Sequence, residues 1–249
     1  MDLQLAGRVA VVTGASRGLG RSIAAAFVAE GMSVVAAARS SADLATLEAK
    51  DPDRVVAVTC DMSDRAAVAG LVDAALDRFG RLDVVVNNAG IAPAGAFADM
   101  PVDRWDEVFA VNLFAPVVLT QAAGVHLLAQ GSGKVINVAS TSGLRGKPTL
   151  AAYSSSKGAM LRFTEAVAGE WARKGVQVNA IAPGAFATDA QAAVLESPTV
   201  LERRLRKIPT GRMGEVDEIG PLACYLASPA SDFVTGAVYV IDGGESSKL

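Results

Sequence analysis

The chain has 249 residues, 51% of them hydrophobic and 20% charged, which predicts a single globular domain, 1–249, with a full core. A net charge of −3 argues against an electrostatic nucleic-acid binder. We expect no apolar run to reach the roughly 18–20 residues of a membrane-spanning helix, so neither nucleic acid nor membrane is an expected partner.

The two cysteines and the single histidine limit the cellular compartment and the chemistry that we expect. Cys60 and Cys224 lie far apart in sequence, which predicts two buried thiols in a reducing compartment and hence a cytoplasmic protein. The single histidine, His126, argues against a histidine-rich metal site or a Ser-His-Asp triad, and we expect no metal. The N-terminus lacks the features of a signal peptide. The terminal Ser-Lys-Leu (247–249) is a peroxisomal address, a cloning remnant or an ordinary tail.

Strands and helices alternate along the chain. Short apolar, β-branched runs predict strands at 8–13, 33–38, 54–60, 81–87, 133–140, 176–182 and 238–244. Helical spacing predicts helices at 21–31, 64–79, 103–110, 111–123, 153–173 and 214–228. This alternation predicts an α/β fold with one doubly wound parallel sheet of about seven strands and helices on both faces.

The first strand runs directly into a glycine-rich turn, T-G-A-S-R-G-L-G (13–20), and then into a helix. Glycines let the backbone approach a ligand closely, and a helix N-terminus favours an anion. The spacing is G-x-x-x-G-x-G rather than G-x-G-x-x-G. Its place between strand and helix nevertheless predicts a dinucleotide diphosphate site.

The end of the second strand helps to choose the dinucleotide. NAD-binding proteins place an acid there for the ribose hydroxyls, whereas a basic residue suits the 2′-phosphate of NADP. Ala38 stands at the expected acid position, Arg39 follows it, and Arg17 lies in the glycine turn. Two guanidiniums favour NADP(H) over NAD(H), with solvation of either Arg as the competing interpretation.

The third and fourth strands deliver further candidates. Asp61 follows the third strand and could accept a hydrogen bond from the adenine or cap the next helix. The fourth strand ends in N-N-A-G (87–90), whose Gly90 allows close approach of a cofactor. Later, Pro116 cannot donate to the carbonyl of Asn112, which predicts a kink and a main-chain oxygen able to hold a water. A plain kink with a capping Asn is the alternative.

Tyr153 and Lys157 lie four residues apart, one turn apart on one face of a predicted helix. We expect the Lys charge to lower the phenol pKa by about 2 units and make it a proton donor and acceptor. Ser140, at the end of the fifth strand, could hold a substrate oxygen at that phenol. An ordinary surface Tyr and Lys is the alternative.

The segment after the sixth strand is expected to cover the site. Thr188 could bond a nicotinamide carboxamide or be a plain loop residue, and Asp189–Lys207 is placed to act as a lid, at about 185–210. Its basic residues, Arg203, Arg204, Arg206 and Lys207, could meet an acidic substrate or form a solvated helix face. Arg145 and Lys147, between Ser140 and Tyr153, raise the same question.

Taken together, the motifs at 13–20, 87–90, Y-S-S-S-K at 153–157, P-G at 183–184 and I-D-G-G at 241–244 resemble those of the short-chain dehydrogenase/reductase family. The resemblance implies a Rossmann-type fold, a nicotinamide cofactor and a catalytic tetrad. The tetrad residues would be Asn112, Ser140, Tyr153 and Lys157. The cofactor contacts would be Gly14, Ser16, Arg17, Gly18, Leu19, Gly20, Arg39, Asp61, Met62, Asn88, Ala89, Gly90, Tyr153, Lys157, Pro183, Gly184 and Thr188.

The resemblance also bears on substrate and assembly. The stretch 169–188 looks most like gluconate 5-dehydrogenases and related sugar-acid reductases, although Ala185 stands where those usually have Tyr. The 3-oxoacyl-carrier-protein reductases share the same motifs, so their activity is the alternative function. A regulator that binds the cofactor without catalysis is a third interpretation. The family's common tetramers predict a homotetramer that uses the helices at about 103–129 and 153–173 and the C-terminal segment.

Overall fold

A single seven-stranded sheet forms the centre of the molecule in the computed structural model, which describes residues 2–247. The strands are β1 (Val9–Thr13), β2 (Ser33–Ala38), β3 (Val55–Thr59), β4 (Val84–Asn87), β5 (Gly133–Val138), β6 (Val176–Pro183) and β7 (Val238–Ile241). They pair in parallel in the order β3-β2-β1-β4-β5-β6-β7. The predicted doubly wound α/β fold is confirmed. The last two residues of the Ser-Lys-Leu end lie outside the described residues.

Helices cover both faces of the sheet. They are α1 (Gly18–Ala29), α2 (Ser41–Glu48), α3 (Arg65–Phe79), α4 (Val102–Phe109), α5 (Ala115–Gln130), α6 (Thr141–Leu144), α7 (Ala151–Trp171), α8 (Ala192–Leu195), α9 (Pro198–Leu205) and α10 (Gly220–Ala227). Apolar residues of α1, α2 and α10 pack in one core, and those of α3, α5 and α7 pack in another. The two cores lie on opposite faces because successive strand side chains point to opposite sides.

The central strands β1 and β4 are mostly apolar because both of their faces are buried. In β1, Ala10 and Val12 belong to the first core, whereas Val9 and Val11 belong to the second. All five residues of this strand are buried. A continuous Val- and Ala-rich run, rather than an alternating one, is the pattern of a covered parallel strand.

The strand order reverses direction between β1 and β4. In doubly wound sheets, ligands bind at this switch point, outside the carboxyl ends of the strands. Thr13, the last residue of β1, ties the two strand ends together. Its Oγ1 donates to the Val86 carbonyl at 3.2 Å and accepts from the Asn88 and Ala89 amides at 3.0 and 3.1 Å. The glycine turn and the 87–90 segment therefore meet at the switch point.

Several local elements were not predicted from the sequence, among them α8 and α9 within the expected lid. Helix α2 was not predicted, because only Leu44 and Leu47 of its eight residues are buried and the apolar pattern is weak. The short helix α6 was also missed. Where the kink before Pro116 was expected, the chain forms a π-helical turn, Ala110–Phe114. A π turn is a known way to accommodate a break in the regular hydrogen-bond ladder.

One helical stretch in the described part of the chain, Val102–Gln130, is long and apolar enough by length and composition to cross a membrane, with a hydropathy of 1.8. The sequence expectation that no stretch reaches this length was therefore wrong. Its inner face is nevertheless core, since Leu119, Ala123 and Leu127 are buried against the sheet. Only 44% of the apolar window is buried, so the helix also carries an apolar outer face.

Candidate active site

A cavity of about 840 Å³ lies along the carboxyl edge of the sheet. It collects most of the residues that the sequence predicted for cofactor and catalysis. Those lining it are Gly14, Ser16, Arg17, Gly18, Leu19, Arg39, Asp61, Met62, Asn88, Ala89, Gly90, Ser140, Tyr153, Lys157, Pro183, Gly184 and Thr188. Gly20 and Asn112 are predicted site residues that do not line it. The cavity thus brings together residues from six strand ends that are distant in sequence.

The glycine turn fits the cradle of a dinucleotide because its backbone is closely packed. Gly14 and Gly18 have φ of 68° and 54°, which favour glycine. A Cβ on Gly14 would lie 2.7 Å from Asn88 Nδ2 and 2.9 Å from Ala89 Cα. Gly20 differs from the prediction: it is buried, and a Cβ there would overlap the Gly14 carbonyl and Asn88 Nδ2. The absence of a side chain at Gly20 therefore lets α1 pack beneath the turn.

The end of the cavity beyond β2 and β3 carries both signs of charge. Arg17 and Arg39 are exposed and line it. Asp61 Oδ1 accepts from the Ser63 amide and hydroxyl at 2.9 and 2.8 Å, and these two bonds hold the pKa of the Asp61 carboxyl low. The helix cap itself is Asp64, whose side chain accepts from the first amides of α3. Asp43, which the sequence analysis missed, adds a carboxylate to the same wall.

Ser140, Tyr153 and Lys157 meet at the end of β5. Ser140 begins α6, and its Oγ accepts from the Ser142 amide at 3.1 Å. Lys157 is buried, and its Nζ donates to the Val138 carbonyl at 2.8 Å. The same Nζ lies 5.9 Å from the centre of the Tyr153 ring. The predicted one-turn spacing on α7 therefore places the ammonium beneath the phenol.

Burial sets the protonation of this pair. It raises the pKa of the Tyr153 phenol from its ordinary value, and the hydrogen bond with Ser140 lowers it in part. Burial also lowers the pKa of the Lys157 ammonium to about 8. The expectation that Lys157 would bring down the phenol pKa was wrong for this protein. Burial removes hydration from both groups and so disfavours the charged form of each.

Asn112 lies on the π turn, with its side chain held by the fold. Its Oδ1 accepts from the Ile91 amide at 2.8 Å, and its Nδ2 donates to the Ile91 carbonyl at 2.9 Å and to Ser156 Oγ at 3.0 Å. These three bonds fix the side-chain amide in place, so the proposed water site involves the main-chain carbonyl. The α-helical donor to that carbonyl would be Pro116, which has no N–H.

Gly90 sits between these groups. A Cβ on it would lie 3.2 Å from Asn112 Oδ1 and 3.5 Å from Lys157 Nζ. Thr188 lies across the cavity by Gly18, where a Cβ would be 3.5 Å from Thr188 Cγ2. At Gly184 a Cβ would lie 2.5 Å from Asp242 Cβ, so the P-G turn is packed against the segment after β7.

Several residues of the cavity wall were not singled out as site residues by the sequence. They include Ser142, Leu150, Phe186 and Gln191. Lys147 and Arg204, two of the basic residues that the sequence analysis noted for an acidic substrate, also line the cavity. Arg145 is exposed and does not line the cavity. Among residues 2–247, no group of three His, Cys, Asp or Glu side chains could hold a metal ion.

A doubly wound sheet with a glycine turn at its switch point, and a Tyr-Lys pair in the same cavity, defines a nicotinamide-dependent oxidoreductase of the Rossmann type. A family model described as enoyl-(acyl carrier protein) reductase matches residues 14–246. The chain belongs to the short-chain dehydrogenase/reductase family, as its motifs predicted.

Relatives match over nearly the whole length. The chain is 38% identical to a 2-dehydro-3-deoxy-D-gluconate 5-dehydrogenase of Bacillus subtilis, covering 98% of this chain and 96% of the relative. It is also 38% identical to a 3-oxoacyl-[acyl-carrier-protein] reductase of Synechocystis, covering 96% and 97%. The crystal structure of a gluconate 5-dehydrogenase from Burkholderia cenocepacia in complex with NADP and tartrate has a TM-score of 0.94 and 34% identity, covering 100% of this chain and 98% of that one.

Proposed function

We propose that this chain transfers a hydride reversibly between NADP(H) and a carbonyl or secondary alcohol, with a sugar acid as the substrate class. The observation that carries the proposal is the convergence of Ser140, Tyr153 and Lys157 with the glycine turn on one cavity. Relatives named for sugar-acid oxidation favour this substrate. A 3-oxoacyl thioester is the second candidate, on the strength of the Synechocystis relative.

In this proposal each residue of the tetrad has a separate role in proton transfer or in binding. Bound NADP(H) supplies or accepts the hydride. Tyr153, which burial keeps neutral, donates a proton to the substrate oxygen during reduction and accepts one during oxidation. Ser140 Oγ hydrogen-bonds the same oxygen as charge develops. Lys157 holds the nicotinamide ribose, and the Asn112 carbonyl holds a water that links Lys157 to solvent.

The cofactor contacts follow the cavity wall. The backbone of the glycine turn and the N-terminus of α1 take the diphosphate. Arg17 and Arg39 take the 2′-phosphate, Asp61 faces the adenine, and Thr188 faces the carboxamide. Solved relatives with bound NADP support this choice over NAD. Asp43 and Asp61 share the wall with the two guanidiniums, so NAD(H) remains the lesser alternative.

Replacing Arg39 with Asp should reverse the cofactor preference. The loss of a guanidinium–phosphate contact and the gain of a carboxylate should lower kcat/KM for NADPH by about 10- to 100-fold and spare that for NADH. Steady-state kinetics with both cofactors measures the ratio. Arg54→Gln, which removes an exposed Arg paired with Asp51 outside the cavity, is the matched control. An unchanged ratio in Arg39→Asp would remove Arg39 from the phosphate site.

The function itself is tested with a panel of substrates. Sugar acids, acyl thioesters, steroids and simple ketones are each mixed with NADPH or NADH, and loss of the reduced-cofactor absorbance is followed. We expect the highest kcat/KM for a keto sugar acid with NADPH. A preference for acyl thioesters would support the second candidate. Cofactor binding without turnover of any compound would support a regulator instead.

The segment at about 185–210 is proposed as the substrate lid of this single domain. Leu201 and Leu205 of α9 pack on a small apolar cluster of Ala185, Ile208 and Met213. This cluster is separate from the two cores of the sheet, so α9 can shift without disturbing them. Gln191 and Arg204 of the same segment line the cavity, which supports its closing over a bound substrate.

We propose a homotetramer that uses the outer faces of α4, α5 and α7. The outer face of the Val102–Gln130 stretch carries exposed apolar side chains, with Val102 74%, Phe114 44% and Val125 69% exposed. Apolar side chains concentrated on one helical face favour contact with another subunit.

Val125→Asp should therefore weaken the assembly. A carboxylate buried in an apolar contact costs several kcal/mol, so the variant should elute as a smaller species in size-exclusion chromatography with light scattering. Ala25→Glu, an exposed position of α1 on the opposite layer, should leave the mass unchanged. Equal masses for wild type and Val125→Asp would contradict this contact face.

We also place the protein in the cytoplasm. Both cysteines are free and buried, and burial raises the pKa of Cys60 to about 11 and that of Cys224 to about 12. Thiols held in this protonated form are unreactive and fit a reducing compartment.

A further inference from the structure

A second charged cluster lies at the end of the cavity opposite Arg17 and Arg39. Lys147 and Arg204 both line the cavity there. Arg204, on α9, donates from its two terminal nitrogens to the two oxygens of Glu245, at 2.5 and 2.7 Å. Lys147 is half-buried, and its Nζ makes no hydrogen bond or ion pair with any residue in 2–247. The cavity thus contains one paired cation and one cation that still lacks a close partner.

Sheet order separates this cluster from the cofactor phosphate. Arg39 follows β2, whereas Glu245 follows β7, five strand positions away. At about 4.8 Å between neighbouring strands, the two ends are roughly 24 Å apart. A 2′-phosphate held by Arg39 therefore does not reach Lys147.

The backbone of Lys147 is instead hydrogen-bonded beside Tyr153, the proposed proton donor. Its backbone amide donates to Ser154 Oγ at 3.2 Å, and Ser154 is the residue after Tyr153. The loop that carries Lys147 also joins Ser140 to Tyr153 in the chain. Lys147 and Tyr153 line the same cavity, so one ligand in it can contact both residues.

The charges around Lys147 leave it available to an anion. The groups that face it are Glu245, Arg204, Lys207 and Asp242, so that three cations stand against two carboxylates. The Asp242 carboxylate already accepts from the Gly244 and Ser246 amides at 2.8 and 2.7 Å. Both oxygens of the Glu245 carboxylate already accept hydrogen bonds from Arg204. Burial lowers the pKa of Lys147, since desolvation disfavours its charged form, and an incoming carboxylate would offset that cost.

We propose that Lys147, supported by the Arg204–Glu245 pair, is the subsite that binds the carboxylate of the substrate. The inference rests on the proposed function and sharpens it, because it selects acids over neutral sugars and gives a residue for the choice. Arg145, the neighbouring cation in the sequence, has no part in it because it lies outside the cavity.

Lys147→Met tests the subsite. The substrates are a keto sugar acid and the neutral ketose of the same chain length. Loss of a charge-assisted contact should raise KM for the acid by about 10- to 100-fold and change that of the ketose far less. Arg145→Met, in the same loop, should behave as wild type for both. An acid-to-ketose ratio of kcat/KM that is the same in Lys147→Met and wild type would overturn the proposal.

A charge-balanced pair of variants tests the role of Arg204. Arg204→Met leaves Glu245 unpaired beside Lys147 and should weaken acid binding. Arg204→Met with Glu245→Met removes both charges and should recover most of that loss. Absence of recovery would contradict an electrostatic role for the pair.

A binding measurement tests the carboxylate subsite without requiring turnover. Tartrate is titrated calorimetrically into the NADP-bound protein, wild type and Lys147→Met. We expect a Kd about 10- to 100-fold higher in the variant. If no carbonyl compound oxidises NADPH, the proposed function fails while this measurement still decides the subsite. Equal tartrate affinity in the two proteins, or no binding to wild type, would overturn it.

Discussion

Tyr153→Phe is expected to lower kcat by about 10²- to 10⁴-fold, the range that a positioned general acid contributes. The phenol is the group that Ser140 and Lys157 surround, and phenylalanine keeps its shape but removes its proton. NADPH should still bind, because the glycine turn and Arg39 are untouched. Stopped-flow reduction of a carbonyl substrate measures the loss, and fluorescence titration measures NADPH affinity.

Tyr225→Phe is the control for the loss of a phenol in general, since Tyr225 lies outside the cavity wall and belongs to the edge of the first core. It should turn over as wild type does. Full turnover by Tyr153→Phe would show that another group moves the proton, and loss of NADPH binding would show that the phenol is needed for the cofactor as well.

Asn112→Ala should be the most destabilising change near the site. It removes three hydrogen bonds of a fully buried amide and leaves the Ile91 amide and carbonyl without their partner. At about 1–3 kcal/mol for each of these two groups left unpaired, the free energy of unfolding should fall by about 2–6 kcal/mol. For a chain of this size, at about 2–4 °C for each kcal/mol, that corresponds to a Tm lower by roughly 5–20 °C.

Ser156→Ala provides a graded control because it removes only one of the three partners of Asn112. Its Tm should fall by less than that of Asn112→Ala. Calorimetry measures both transitions, and NADPH turnover at a temperature where both variants are folded shows whether the π turn also positions the Asn112 carbonyl. Equal stabilities for wild type and Asn112→Ala would contradict the structural role of the amide.

The elements predicted correctly are those whose signal is local. The β1 strand, the glycine turn and α1 follow one another within about twenty residues, and each has its own pattern of apolar, glycine or helical spacing. The pairing of Tyr153 with Lys157 is equally local, since four residues make one turn of α7. Such features require only the chain direction and the helical repeat, which the sequence states directly.

Features that were missed or mistaken depend on neighbours from elsewhere in the chain. The motif predicts a ligand contact at Gly20. In the structure a Cβ on Gly20 would overlap Gly14 and Asn88, so a glycine is needed there for packing. The pKa of Tyr153 rises because surrounding elements exclude water, a quantity that the spacing of Tyr and Lys cannot contain. Helix α2 lacks a strong apolar face and is fixed largely by its packing on β3.

The sequence by itself determined the fold class, the family and the four residues proposed for catalysis. Parallel strands bring their carboxyl ends to one edge of the sheet, so residues that follow different strands could be expected to meet there. Only the tertiary structure separated Lys147 from Arg145, two cations that are nearly adjacent in the chain. It also brought Arg204 and Glu245, far apart in sequence, to the same end of the cavity. The direction of a loop side chain is set by packing against distant elements, and local spacing does not encode it.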